Sequence, residues 1–222
     1  EELQYLEHDE EMKCSYCELD FISNVKCVWG HYICDDCHAY DAVEVIRNVC
    51  LSTKSVNPVL IAQRLFEHPS VKMHGPEHHY LVPAALLAAA KNTDGDSMNL
   101  KQALKVAEHR SANILGGFCG FYGCCGAAIG TGIFISAYTQ ATPLSKEGWS
   151  NANLMTSKSL EKIARLGGPR CCKRDTLLAI ETAIDFFEEK YHVQLEKEEK
   201  IHCSHSDQNK ECITVNCPYF NH

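Results

Sequence analysis

The sequence predicts an all-α protein: a helical domain of about seven helices, a small N-terminal zinc-ribbon or treble-clef module, and a cysteine-rich C-terminal tail. Three observations carry that reading. Apolar residues recur at helical spacing through residues 41–195, and no convincing strand run appears outside the N-terminal segment. The 222 residues are 45% hydrophobic, enough to bury one medium-sized core. The 14 cysteines gather in pairs and short clusters at both ends and at two glycine-rich turns. The expected division is 1–40 for the knuckle module, 41–195 for the helical domain and 196–222 for a tail that folds onto it.

Taken in order, residues 1–13 are acidic and read as a frayed lead-in. Cys14-x2-Cys17 and Cys34-x2-Cys37 follow, sixteen residues apart. Each C-x2-C turn brings two thiolates to one metal, and together they make a closed tetrahedral zinc set. Zinc there replaces a core that so short a module cannot build. With Cys27 and His31 the string resembles the first six ligands of a RING finger. No further C-x2-C pair follows to complete a second zinc, so the module reads as a single-zinc knuckle, with Cys27 and His31 in packing or turn roles.

His38 to Ser52 places Val43, Ile46, Val49 and Cys50 on one helical face. Asn57-Pro58 opens a second helix, with proline in its first turn. His68 to Tyr80 reads as a loop, in which His78 and His79 are candidate ligands or proton-transfer groups. Val82-Pro83 reads as the start of a third helix through Ala90, an apolar run too short for the ~20 residues of a membrane span. Asn99 to Ile114 is amphipathic. Gly126 to Ala141 reads as a buried helix ended by Thr142-Pro143. Trp149 to Leu166 is closed by Gly167-Gly168, and Asp175 to Tyr191 is the last long helix.

Two of these helices begin in glycine-rich segments that carry cysteines: Gly116-Gly117-Phe118-Cys119-Gly120-Phe121-Tyr122-Gly123-Cys124-Cys125-Gly126 and Gly167-Gly168-Pro169-Arg170-Cys171-Cys172-Lys173-Arg174. A helix start presents unpaired N–H groups and a positive dipole end, which lower a thiol's pKa. Glycines let backbone N–H groups approach an anion closely. The two segments are therefore expected to face one pocket, to which Cys119, Cys124 and Cys125 at the first turn and Cys171 and Cys172 at the second bring thiols. Arg170, Lys173 and Arg174, unfavourable at a helix start, suit a small anionic substrate or a sulfur species. In the tail, His202-Cys203-Ser204-His205 and Cys212-x4-Cys217-Pro218 add Cys203, Cys212 and Cys217. They either complete the central ligand set or hold a metal of their own.

More thiols than one zinc can use favour an iron–sulfur cluster, a [4Fe–4S] centre, beside the N-terminal zinc. Three functions follow as expectations. The first is a cluster protein doing sulfur or redox chemistry, or Lewis-acid catalysis as a lyase or sulfur transferase. The second is a non-catalytic zinc adaptor that recruits a partner protein, and the third a zinc or thiol enzyme without iron. The net charge of −8 and the absence of a basic run argue against a broad nucleic-acid or membrane surface. Cysteines paired at metal-ligand spacing, with no visible signal peptide, point to a reducing cytoplasm.

The strings GGFCGFYGCCGAAIGTG, TPLS, NLMTSKSLEKIA, GGPRCCKRD and CPYF, in this order, resemble a prokaryotic family catalogued as domain of unknown function 5714, over about residues 58–220. Members occur in anaerobes and methanogens, some alongside methyltransferases. The resemblance implies an anaerobic setting that suits oxygen-sensitive clusters, and a methyltransferase or other enzyme as partner. In the family pattern cysteines match Cys119 and Cys125, and a small residue stands at the place of Cys124, so the resemblance implies Cys119, Cys125, Cys171 and Cys172 as cluster ligands with Cys124 the less certain one.

Overall fold

The computed structural model describes residues 3–14, 19–28, 30, 32, 34–95 and 98–221, with residues 27 and 35–41 described by backbone alone. Two strands, β1 (Leu3–Lys13) and β2 (Asp20–Cys27), precede eight helices: α1 (Asp35–Ser52), α2 (Pro58–Phe66), α3 (Glu77–Asp94), α4 (Leu100–Ser111), α5 (Phe118–Phe121), α6 (Gly126–Tyr138), α7 (Glu147–Leu166) and α8 (Cys172–Tyr191). Short 3-10 turns at Ser206–Gln208 and Thr214–Asn216 shape the tail. The helical expectation stands, with one helix more than anticipated, the four-residue α5.

The acidic N-terminus is a correction. It is not a frayed lead-in: β1 pairs antiparallel with β2, from Leu3 opposite Cys27 to Lys13 opposite Asp20, with an irregularity between Tyr5 and Glu10. Opposite charges across the ladder compensate the acidic sequence, Lys26 Nζ meeting Glu10 Oε2 at 3.2 Å. Both faces are largely exposed, so no apolar alternation announces the strand.

The core is built around α3. Its residues Tyr80–Ala90 are buried on every side, and α1, α2, α4, α6 and α8 pack around it. The sequence reading started this helix at Val82; it starts at Glu77, and Pro83 lies inside it. Proline there cannot donate to the carbonyl four residues back, which is His79 O. The Ser111 hydroxyl donates to that carbonyl at 3.1 Å instead, so α4 satisfies the acceptor that the proline leaves open.

Helix α6 packs against α3 at the same spot. A Cβ at Gly130 would stand 3.0 Å from both His79 O and Pro83 Cδ. The small residues of α6 are there for close packing. Helices α7 and α8 close the bundle, and a ring cluster of Phe134, Tyr138, Phe187 and Tyr191 ties α6 to α8. Among the described residues no helix is long and apolar enough to cross a membrane.

Candidate functional site

The start of α8 organises the site. Gly167, at φ 88, ends α7, and the chain turns through Pro169 and Arg170 into Cys171, the N-cap of α8. The Cys171 sulfur accepts the Arg174 N–H at 3.5 Å, the role that serine or aspartate oxygen usually fills. Cys172 is the first helical residue. Neighbouring side chains on a helix diverge by roughly 100°, so the two thiols leave the backbone in different directions.

Cys171 lines a cavity of about 90 Å³ together with Cys203, Cys212 and Cys217 from the tail. The tail is anchored by buried Ile201 and Tyr219 and by the Cys203 N–H donating to Tyr219 O at 2.7 Å. Two tail sulfurs accept a backbone N–H from two residues on: Cys203 from His205 at 3.4 Å and Cys212 from Thr214 at 3.4 Å. Such bonds favour the charged sulfur and are characteristic of cysteines that hold metal.

Two buried polar groups of the lining are incompletely paired. Arg174 gives Nη2 to Gly167 O and Pro169 O, each at 3.0 Å, and Nε to Asp175 Oδ1 at 3.0 Å, while its buried Nη1 has no partner. His205 faces Glu67 through Nε2 at 3.4 Å, and its Nδ1 has no partner. Unpaired donors of this kind are costly in a dry site unless a ligand answers them.

Cys119, Cys125 and Cys172 do not line this cavity. Cys125 is the N-cap of α6 and makes no side-chain hydrogen bond in that role. Burial opposes the Cys172 thiolate, while the Gly75 backbone in the loop before α3 and the Arg170 charge favour it. Cys119 and Cys171, expected to line one pocket, do not share this one: Cys171 is joined there by the three tail cysteines instead. Cys124 is half-buried, with its N–H on Phe118 O at 3.1 Å.

The three cations differ in their surroundings. Lys173 is buried, donates to Phe66 O at 2.8 Å and sits 4.8 Å over the Phe66 ring. Arg174 is buried and lines the cavity. Arg170 lies 5.7 Å from the Tyr5 ring of β1, and Tyr5 in turn meets Phe121 at 6.4 Å. The hairpin therefore reaches over the start of α8, a contact that nothing in the local sequence signals.

The expected lowering of thiol pKa at these helix starts is overturned for the chain alone. Burial pushes Cys125 up to about 12 and Cys171 up to about 11, and raises Cys172 and Cys217 as well. Desolvation of a charged sulfur outweighs the backbone N–H groups. A metal supplies the positive charge that makes such thiols into thiolates.

In the N-terminal module, Cys14 and Cys34 are both buried, and the Cys34 N–H donates to Cys14 Sγ at 3.3 Å. Cys17 and His31 lie outside the described residues, as do the side chains of Cys27 and Cys37. Among the described residues no three His, Cys, Asp or Glu side chains converge as they would on a single metal ion. His78 is buried, between Thr176 Oγ1 at 3.2 Å and Lys72 O at 3.0 Å. His79 bonds Ile114 O through Nδ1 at 3.0 Å. Both serve the fold of α3.

The chain belongs to the family of unknown function DUF5714, which it matches over residues 46–220. That span holds the cysteines of both helix starts and of the tail, and leaves the hairpin and the N-terminal cysteines outside. No curated protein and no solved structure matches the chain.

Proposed function

We propose that this DUF5714 member is a metalloprotein that binds an iron–sulfur cluster at Cys171, Cys203, Cys212 and Cys217, and uses it for sulfur, redox or Lewis-acid chemistry on a small anionic substrate. The observation that carries the reading is that these four cysteines line one cavity and that three of the sulfurs accept a backbone N–H. The unpaired Arg174 Nη1 supplies positive charge against an anionic cluster. When bound, the cluster supplies electron transfer or Lewis acidity; the chain's residues fix its potential through N–H···S bonds and burial. The same proposal keeps zinc at Cys14, Cys17, Cys34 and Cys37, supported by the buried Cys14–Cys34 contact.

The test is anaerobic reconstitution of the full chain with iron and sulfide, followed by metal and sulfide analysis. The Cys171→Ala/Cys217→Ala double variant should hold about four fewer irons than the native chain, as loss of one [4Fe–4S] cluster requires. Zinc alone at full occupancy, with no iron taken up, would replace this reading with the zinc adaptor. Separately, Cys14→Ala/Cys34→Ala should lose one equivalent of zinc and keep its iron; unchanged zinc would remove the N-terminal site.

A further inference from the structure

A second cavity, of about 270 Å³, lies against the thiol-lined one. Phe66, Glu67, Met73, Lys173 and His205 line both, so one set of residues separates the two. Lys173 stands in this partition with its charge unanswered. Its buried ammonium donates to Phe66 O at 2.8 Å and lies 4.8 Å over the Phe66 ring, and it makes no ion pair among the described residues. An ammonium has three N–H donors, and holding one away from water without a counter-ion is costly. His205, its side chain 9% exposed, has Oε1 of Glu67 at 3.4 Å from Nε2. That carboxylate favours the ring proton on Nε2 and leaves Nδ1 as an acceptor. The Nδ1 is buried and has no partner. A cation without an anion and an acceptor without a donor thus stand in the same partition.

We propose that the second cavity is a substrate chamber for a small hydroxy-carboxylate, with Lys173 holding the carboxylate and His205 Nδ1 accepting from the hydroxyl. The proposal rests on the reading of the neighbouring cavity as the metal centre, and gives its substrate a class and a place. Size limits the ligand: drug-sized molecules occupy ~300–1,000 Å³, so about 270 Å³ suits one of a few heavy atoms. Charge limits it further. Lys72 and Lys173 against Glu67 leave one net positive charge in the lining, which matches a monoanion. Lys72 is exposed and already donates to Pro69 O at 3.0 Å, so it attracts the anion and Lys173 holds it. Glu67 is engaged by His205 and by the Ser204 hydroxyl at 3.1 Å, which turns its charge toward the tail. The unpaired His205 acceptor selects a ligand with a donor of its own, which a plain carboxylate lacks and a hydroxyl supplies. Arg174 lines the thiol cavity alone and stays with the metal centre.

The experiment uses the full chain, reconstituted anaerobically, with its iron counted and its folding followed by circular dichroism. Saturation-transfer NMR titrations with glycolate and with acetate read the binding of each acid. The native chain should bind glycolate about fivefold more tightly than acetate, as one neutral hydrogen bond gives. Lys173→Gln should weaken both acids by about tenfold or more, as loss of a charged hydrogen bond requires. Lys72→Gln should weaken both by only about two- to fourfold, the effect of an exposed charge. His205→Phe keeps a ring against Phe66; it should bring glycolate down to the level of acetate and leave acetate unchanged. Should Lys173→Gln unfold, the His205→Phe comparison carries the test. An iron-loaded chain that gives no glycolate signal, binds the two acids equally, or binds them unchanged in a folded Lys173→Gln overturns the chamber and leaves the metal centre standing. A chain that takes up no iron and still tells glycolate from acetate through His205 overturns the metal centre and leaves the chamber. Neither iron nor glycolate binding overturns both.

Discussion

At the scale of single residues, Glu77 shows how closely fold and site are joined. Its carboxyl is buried in the first turn of α3. Oε1 accepts the Lys72 N–H at 2.8 Å, and Oε2 has no partner. It also folds back on Gly75, where a Cβ would stand 2.0 Å from Oε2, so a side chain there would displace the Glu77 carboxyl. Burial raises the Glu77 pKa to about 7, against the pull of the Lys72 and Lys173 charges. The folded value exceeds the unfolded one, so the group's contribution to stability is full below the ordinary carboxylate range. It is lost as pH rises from 4.5 to about 7. Glu77→Gln keeps the shape and cannot ionise. Relative to native, it should gain about 3 kcal/mol between acid pH and pH ~8, at ~1.4 kcal/mol per pK unit, read from urea unfolding at the two pH values. A difference that does not move with pH would show that Glu77 stays charged in place. The cysteines of the site were legible because residue type and spacing speak for themselves. Gly75, His205 as a cavity wall, and Tyr5 over Arg170 were not, since each acts through a partner remote in sequence.

At the scale of elements, the contact of α3 with α6 is the one the fold most depends on near the site. Pro83 frees the His79 carbonyl, Ser111 takes it up, and Gly130 lets α6 approach it. Gly130→Ala would ordinarily gain up to ~1 kcal/mol of helix propensity. Here its methyl meets a backbone oxygen and a proline ring at 3.0 Å, neither of which can swing aside. Overpacking of ~1–3 kcal/mol should dominate, giving a net loss of about 1–2 kcal/mol in chemical denaturation. A more stable variant would mean that α6 can slide. The same elements show what periodicity can and cannot reveal. Helices α1, α2, α4, α7 and α8 were legible from one-sided apolar spacing and from punctuation such as Asn57-Pro58 and Gly167. The true start of α3 was hidden because a proline inside a helix reads as its beginning, and only the α4 hydroxyl makes the interior position tolerable. Strand β1 was hidden because an acidic segment exposed on both faces carries no period, and its partner β2 supplies the reason for its shape.

At the scale of the whole molecule, the chain's two ends meet at one place. The tail and the N-terminal hairpin both come to the start of α8, the tail through Cys203, Cys212 and Cys217 and the hairpin through Tyr5. The body has a core of its own, whereas the tail rests on few buried apolar side chains, Leu195, Ile201 and Tyr219, and on isolated bonds. These include Glu196 N–H to Val56 O at 3.2 Å and Asn57 Nδ2 to Glu198 Oε1 at 2.9 Å. Three of the four sulfurs of the proposed cluster site belong to this segment, so binding free energy at that site is docking free energy for the tail. Iron removal should therefore release the tail and spare the bundle. Limited trypsin digestion of the anaerobic chain before and after chelation tests this. The expected outcome is rapid cleavage at Lys197, Lys200 and Lys210 only after iron is removed, with α2–α8 surviving as one fragment and helical signal nearly unchanged. Cys203→Ala/Cys212→Ala should behave as the chelated chain does without any chelator. Equal protection of the tail with and without iron would show that its apolar anchors suffice, and would separate the thiols' role in chemistry from any role in holding the chain together.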